Sequence, residues 1–166
     1  MTYLEGKERA DYVQQMFTRI AGNYDLMNRL MTGGQDVRWR REVIRQANLN
    51  NGGRLLDLGT GTGDLARDAQ TQHPEVQVTA ADFTLEMMRV GKSRDLVQST
   101  PQQQLSWSAA DALNLPFEAE TFDAVISGFL LRNVIDVRMS LADQYRVLKP
   151  AAELWCSIPR RLPITC

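Results

Sequence analysis

The stretch LLDLGTGTGDLA, residues 55–66, decides how this chain reads. Leu55–Leu58 make a short apolar strand, the alternating Gly59, Gly61 and Gly63 make a turn, and Asp64 opens a helix. Glycine in such a turn permits positive φ and lets the backbone approach a bound molecule with no Cβ between them. A carboxylate flanks the turn on each side. Asp64 is equally well explained as an acid favoured at a helix start. Asp57 is harder to explain that way, because a strand-end carboxylate is costly unless paired.

Outward from this turn, strands and helices alternate. VQVTAAD (76–82) reads as a second strand, and 84–97 as a helix carrying Leu85, Met88 and Leu96. QLSWSAAD (104–111) is a third strand. DAVISGF (123–129), nearly all apolar, is a fourth, buried on both faces. A helix follows over 136–148, stopped by Pro150, and AELWCSI (152–158) is a fifth strand. Such alternation specifies an α/β, doubly wound, mostly parallel sheet with right-handed crossovers. Ahead of it lies a helical N-terminal segment. Tyr12, Val13, Met16, Phe17 and Ile20 mark one helix over 8–21, a second fits 25–31, and a third fits 36–47 with Asp36 as its N-cap. The expected organisation is one domain, with a helical lid (1–50), an α/β core (51–150) and a tail (151–166).

Composition narrows the chemistry. With 43% hydrophobic and 23% charged residues and a net charge of −1, the chain reads as a globular protein with no field drawing it to nucleic acid. No apolar run reaches the roughly 18–20 residues of a membrane span. The start, MTYLEGKERADYV, lacks the apolar centre of a secretion signal, so a cytoplasmic location is expected. Cys156, Cys166 and the single histidine, His73, show no ligand spacing, which argues against a metal site or a Cys/His nucleophile.

Two ligand classes compete for the glycine turn. Residues 61–66 satisfy the G-x-G-x-x-G/A pattern of dinucleotide sites. A pyrophosphate there would meet repulsion from both flanking carboxylates. S-adenosyl-L-methionine carries no phosphate and presents a sulfonium and an ammonium, which those acids suit. Asp82, nineteen residues after Gly63, is placed to accept ribose hydroxyls in either case. Asp111, at the end of the third strand, is placed to receive the adenine amino group, with the Ala112 N–H on a ring nitrogen.

With these residues in hand, the chain resembles the ubiquinone/menaquinone biosynthesis C-methyltransferases, demethylmenaquinone methyltransferase-like enzymes of the Rossmann-like, seven-strand methyltransferase fold. The resemblance runs from about Val13 to Pro150. It is carried by MFTRIAGNYDLMNRLMTGGQDVRWRR (16–41), LDLGTGTGDLA (56–66), ADALNLPFEAETFDAVISGFLLRNV (110–134) and YRVLKP (145–150). It implies methyl transfer from S-adenosyl-L-methionine to a ring carbon of a polyprenylated quinol, a naphthoquinol or a benzoquinol. By position, Thr62, Asp82, Asp111 and Ala112 look like cofactor contacts beside Asp57, Gly59, Gly61 and Gly63. The family's serine at the end of the fourth strand falls at Gly128, with Ser127 beside it. Arg132 is expected to stabilise the quinolate or to hold a water that takes its proton, with Asn133 as positioner. Tyr24 and Asp25 look like lid residues. The family often has histidine at Asp36 and glycine at Leu130.

Two features stand apart. Arg38, Arg40, Arg41 and Arg45 surround Trp39, and read either as a solvated helix face or as contact with an anionic bilayer surface. The tail from Ala151 departs from the family's Gly-Gly continuation. Back-translated with synonymous codons and read two nucleotides along, it restores a Gly-Gly pair and a β-branched strand. A reading-frame shift after Pro150 is therefore expected, with the C-terminal strands missing and the fifth strand left as an exposed edge.

Overall fold

The computed structural model of the chain describes residues 6–24, 30, 32–98, 105–157 and 164–165. Helix α1 (Gly6–Ile20) runs into a 3-10 turn (Ala21–Asn23), and helix α2 (Gln35–Gln46) follows. The alternating part begins with strand β1 (Arg54–Leu58), helix α3 (Asp64–Gln72), strand β2 (Gln77–Asp82), helix α4 (Leu85–Gln98) and strand β3 (Ser106–Ala109). Strand β4 (Phe122–Gly128), helix α5 (Val137–Val147), strand β5 (Leu148–Ser157) and the two-residue β6 (Ile164–Thr165) complete it. The sheet order is β3-β2-β1-β4-β5-β6, parallel throughout except at β6. This is the doubly wound α/β sheet that the alternation specifies.

The order reverses between β1 and β4, and that crevice is where such sheets bind ligands. Register carries the carboxylates there: Asp57 lies opposite Ala80 and Ile126, and Asp82 opposite Ala109. One face of the sheet packs Leu55, Ala80, Ala124 and Ile126 under Val43 and Ile44 of α2 and Leu65, Ala66 and Ala69 of α3. The other packs Leu56, Leu58, Val125 and Leu154 against Val147. Burial on both faces explains why β1 and β4 carry almost no polar residues. Arg54 and Asp123 stand at the strand starts, and the polar residues farther in, Asp57 and Ser127, are almost completely inaccessible.

Several expectations change. Helix α2 starts one residue early on Gly34, in the left-handed region at φ 80°, so Asp36 is no cap. Its buried side chain instead accepts from Arg40 Nη1 at 2.7 Å and from Thr32 at 3.1 Å. Asp136 does cap α5, accepting from the Met139 N–H at 2.9 Å. Pro150 does not end that helix. Strand β5 already begins at Leu148, and Pro150 falls where its pairing with β4 is irregular, a place that tolerates a residue without an N–H. Position 151 is no structural boundary, since β5 runs on to Ser157 beside Gly128. Nor is β5 an open edge along its whole length: β6 pairs with it at Trp155–Thr165 and Cys156–Ile164. Strand β3 stops at Ala109, and Asp111 opens a turn bridged to Asn114. The helix expected over 25–31 lies almost wholly outside the described residues.

Candidate functional site

The glycine turn is fastened to the neighbouring strand. The N–H groups of Gly59 and Thr60 both donate to the Ala81 carbonyl, at 2.8 and 3.0 Å. Gly59, Gly61 and Gly63 all lie at positive φ, and Gly63 stands at the N-cap of α3. A Cβ on Gly61 would lie 3.2 Å from Met87 Cε, the far end of a flexible side chain, so it is chiefly the positive φ that asks for glycine there.

Asp82 latches this turn from β2. Its Oδ2 accepts the Gly61 N–H at 2.8 Å and its Oδ1 the Thr84 N–H at 2.7 Å. Burial raises its pKa, while those N–H groups pull the other way. Each oxygen keeps a lone pair for a ligand hydroxyl. Asp57 is buried completely. Its Oδ2 accepts from Thr60 Oγ1 at 2.6 Å, while its Oδ1 has no hydrogen-bond partner among the described residues. Burial pushes its carboxyl up to about 7, helped by the nearby charge of Asp82 and opposed by the Thr60 hydrogen bond. An orphaned, buried carboxylate oxygen with a perturbed pKa marks a functional position.

Two cavities meet at this turn. The larger, about 160 Å³, is bounded by Asp82, Phe83 and Met87 on one side and by Ala110, Asp111 and Ala112 on the next. Phe129, Leu130 and Asn133 form its far wall, and Val13 and Phe17 of α1 its cover. The smaller, about 80 Å³, lies toward α2 and includes Asp57, Thr60, Thr62, Trp39 and Arg40. Tyr24, Gly59, Gly61, Gly128 and Phe129 line both. The described residues read from the sequence as one site border these cavities, except Gly63, Ser127 and Arg132.

Asp64 borders the smaller cavity but is paired within the protein. Its carboxylate meets Arg67 at 3.0 Å, Arg40 at 3.8 Å and Arg94 at 3.9 Å, so its charge is answered within the protein. Ser127 borders neither cavity; it is buried with an unpartnered Oγ, and Gly128 beside it is the residue that lines them. Asp111 is exposed, and its Oδ1 accepts the Leu113 N–H at 2.9 Å, closing the turn it opens. Asn133 lines the larger cavity and donates to the Phe129 carbonyl at 3.2 Å. Arg132 is exposed and does not line it; its guanidinium stacks over the Phe129 ring at 4.9 Å. Asp25 lies outside the described residues. The arginines around Trp39 do not form one basic face, since Arg40 turns inward to Asp36 and Asp68 at 2.7 Å each. Arg45 is paired with Glu42 at 2.6 Å. No helix among the described residues is long and apolar enough to cross a membrane.

Sequence reasoning missed Phe129. It sits at φ 60°, a conformation costly for a bulky side chain, and is held by Trp39 edge-on at 6.5 Å and by Arg132. Only a strand ending beside a glycine, at Gly128, hinted at a special backbone there.

Comparison with known proteins agrees with this geometry. The model of the ubiE/COQ5 methyltransferase family matches residues 4–161. Over 161 residues the chain is 45% identical to the ubiquinone/menaquinone biosynthesis C-methyltransferase UbiE of Desulfotalea psychrophila, covering 93% of this chain and 63% of that protein. Over 149 residues it is 40% identical to the demethylmenaquinone methyltransferase of Roseiflexus castenholzii, covering 90% and 60%. The chain thus spans somewhat less than two thirds of the length of these relatives. Among solved structures, phosphoethanolamine N-methyltransferase 2 of Haemonchus contortus in complex with S-adenosyl-L-methionine is similar with a TM-score of 0.64 at 25% identity. That similarity covers 70% of this chain and 27% of that one.

Proposed function

The chain belongs to the ubiE/COQ5 methyltransferase family, and on that premise we propose that it binds S-adenosyl-L-methionine across the two cavities and methylates a ring carbon of a polyprenylated quinol in quinone biosynthesis. The observation that carries the reading is Asp57: a fully buried carboxylate with one unpartnered oxygen, beside a small cavity at a glycine turn. A cationic ammonium satisfies that oxygen; a pyrophosphate does not. When bound, the cofactor supplies an electrophilic methyl group.

The residues present fit it. In this reading Asp82 would offer two oxygens to the ribose, Asp111 and the Ala112 N–H, which border the larger cavity, would take the adenine edge, and Asp57, at the smaller, the amino group. Gly61 and the backbone around Thr62 form the cradle that a Cβ would fill. Enclosure by Phe129, Leu130, Val13 and Phe17 excludes water and gives an aromatic acceptor an apolar wall. Asn133 orients the acceptor hydroxyl from that wall. Arg132 borders neither cavity, so the part left to it is to act from behind the Phe129 ring, 4.9 Å away, by placing positive charge near a quinolate or near the water that takes the proton. Arginine keeps its own proton, so it acts by charge and position. Holding acceptor and donor in line supplies a rate advantage worth roughly 7–11 kcal/mol in well-oriented systems.

The test is calorimetry with S-adenosylhomocysteine and NADH, followed by a methyl-transfer assay on short-chain demethylmenaquinol and on the matching benzoquinol. Binding of the first compound and methyl incorporation into a quinol support the proposal. NADH binding in its place overturns it. Binding without incorporation gives this chain the cofactor half of the activity alone.

A further inference from the structure

Behind the glycine turn, on the side away from the cavities, three polar side chains link three elements. Trp107 of β3 donates its indole N–H to Asp95 Oδ2 at 2.8 Å. Asp95 of α4, only 3% exposed, accepts from Arg67 Nη1 at 3.0 Å through its other oxygen. Arg67 of α3 turns its Nη2 onto the Thr62 carbonyl at 2.6 Å and onto Asp64 Oδ1 at 3.0 Å. The chain of contacts starts on the sheet and ends on a backbone atom of the turn.

The packing around it leaves no slack. A Cβ on Gly63 would lie 2.6 Å from Trp107 Cη2. One on Gly91, in the middle of α4, would lie 2.3 Å from the same atom and 2.5 Å from the Thr62 carbonyl oxygen. The turn therefore rests on the Trp107 ring and on the bare backbone of α4. Its opposite face carries the Gly61 N–H that Asp82 holds.

We propose that Trp107, Asp95 and Arg67 are positioning residues that fix the Thr62–Gly63 peptide from behind and so set the affinity of the site for its adenosyl ligand. The proposal rests on the cofactor reading above. The turn is held at successive peptides: Ala81 holds Gly59 and Thr60, Asp82 holds Gly61, and the Thr60 carbonyl accepts the Gly63 N–H at 2.9 Å. Arg67 adds a side-chain anchor from behind, on the Thr62 carbonyl at 2.6 Å. A guanidinium held only by a carbonyl would swing; Asp95 fixes its plane by a charge-assisted bond, and Trp107 fixes Asp95. Gly91 is required because any side chain there occupies the space of the Thr62 carbonyl.

Titration with S-adenosylhomocysteine separates positioning from mere stability. Asp95→Asn and Trp107→Phe are expected to weaken binding about ten-fold or more, the scale of one lost charge-assisted hydrogen bond. Asp143→Asn is the control. It removes an acceptor for the Leu115 N–H and Arg146 far from the turn, and is expected to lower Tm while leaving affinity within about two-fold. The indole N–H resonance of Trp107, identified by its loss in Trp107→Phe, should shift on ligand addition in the wild type and stay still in Asp95→Asn. Should Asp95→Asn not fold, Arg67→Lys decides, since an ammonium cannot hold Asp95 and the Thr62 carbonyl in the same fork. Wild-type affinity in the folded variants, with Tm lowered as in the control, overturns the relay alone. Failure of the wild type to bind S-adenosylhomocysteine overturns the cofactor reading and the relay with it.

Discussion

The two walls of the crevice are built in opposite ways. At the ends of β1 and β2, the crevice is walled by glycines at positive φ and by carboxylates that hold N–H groups. At the end of β4, the left-handed position is filled by Phe129, which Trp39 of α2 and Arg132 keep in place. The first wall is backbone and short polar side chains, with Asp82 reaching the Gly61 N–H across 21 residues. The second is an apolar ring held by Trp39 of a distant helix and by Arg132 three residues on.

The sharpest way to break the contrast is Asp82→Ala. It removes the ribose acceptor and releases the Gly61 and Thr84 N–H groups together, so S-adenosylhomocysteine affinity should fall about 100-fold or more by calorimetry. Asn133→Ala works on the other wall. It frees the Phe129 carbonyl, and should cut methyl transfer roughly 10- to 100-fold while leaving cofactor affinity within about three-fold. Comparable loss of affinity in both variants would erase the distinction between the walls.

Asp57 gives a smaller, pH-dependent signature. Below a pKa of about 7 its carboxyl is protonated in the free protein, and binding an ammonium requires that proton to leave. Affinity should therefore rise with pH, by up to about ten-fold per unit, until about pH 7 and then level off. Stability moves the other way. Between the ordinary value of 3.8 and about 7, the unfolded chain has lost a proton that the fold retains, so the fold weakens as pH rises through that window. Asp57→Asn should flatten both profiles in paired calorimetric and thermal titrations. The smallest effect expected is from Gly128→Ser. Gly128 is not at positive φ, and a Cβ there meets only Leu65 Cδ2, at 3.8 Å. The added hydroxyl should tighten cofactor binding a few-fold, the worth of one neutral hydrogen bond.

Legibility followed the same division. The strand β1, the glycine turn and the acid at Asp82 were readable because each depends on its neighbours along the chain. Helix α4 was placed correctly but its inward face was read only in part. Of the positions read as apolar, Met88 is buried, whereas Leu85 and Leu96 are 46% and 71% exposed, and Met87, Gly91 and Asp95 also face inward. A buried face of two adjacent methionines, one glycine and one aspartate carries a weak hydrophobic period, so little in the sequence marked it. Asp64 stayed open between a ligand and a helix start for a related reason: Arg40 and Arg94, which lie beside it, are distant in sequence.

By itself the sequence determined that strands alternate with helices, that a glycine turn opens α3, and that acids stand at the strand ends, because period, φ preference and charge are properties of short segments. The tertiary structure alone decided which acid keeps an oxygen with no partner among the described residues and which is answered by arginines. Only there does burial raise Asp57 while three guanidinium groups surround Asp64. Desolvation and charge pairing depend on distance in space, and the fold sets that distance.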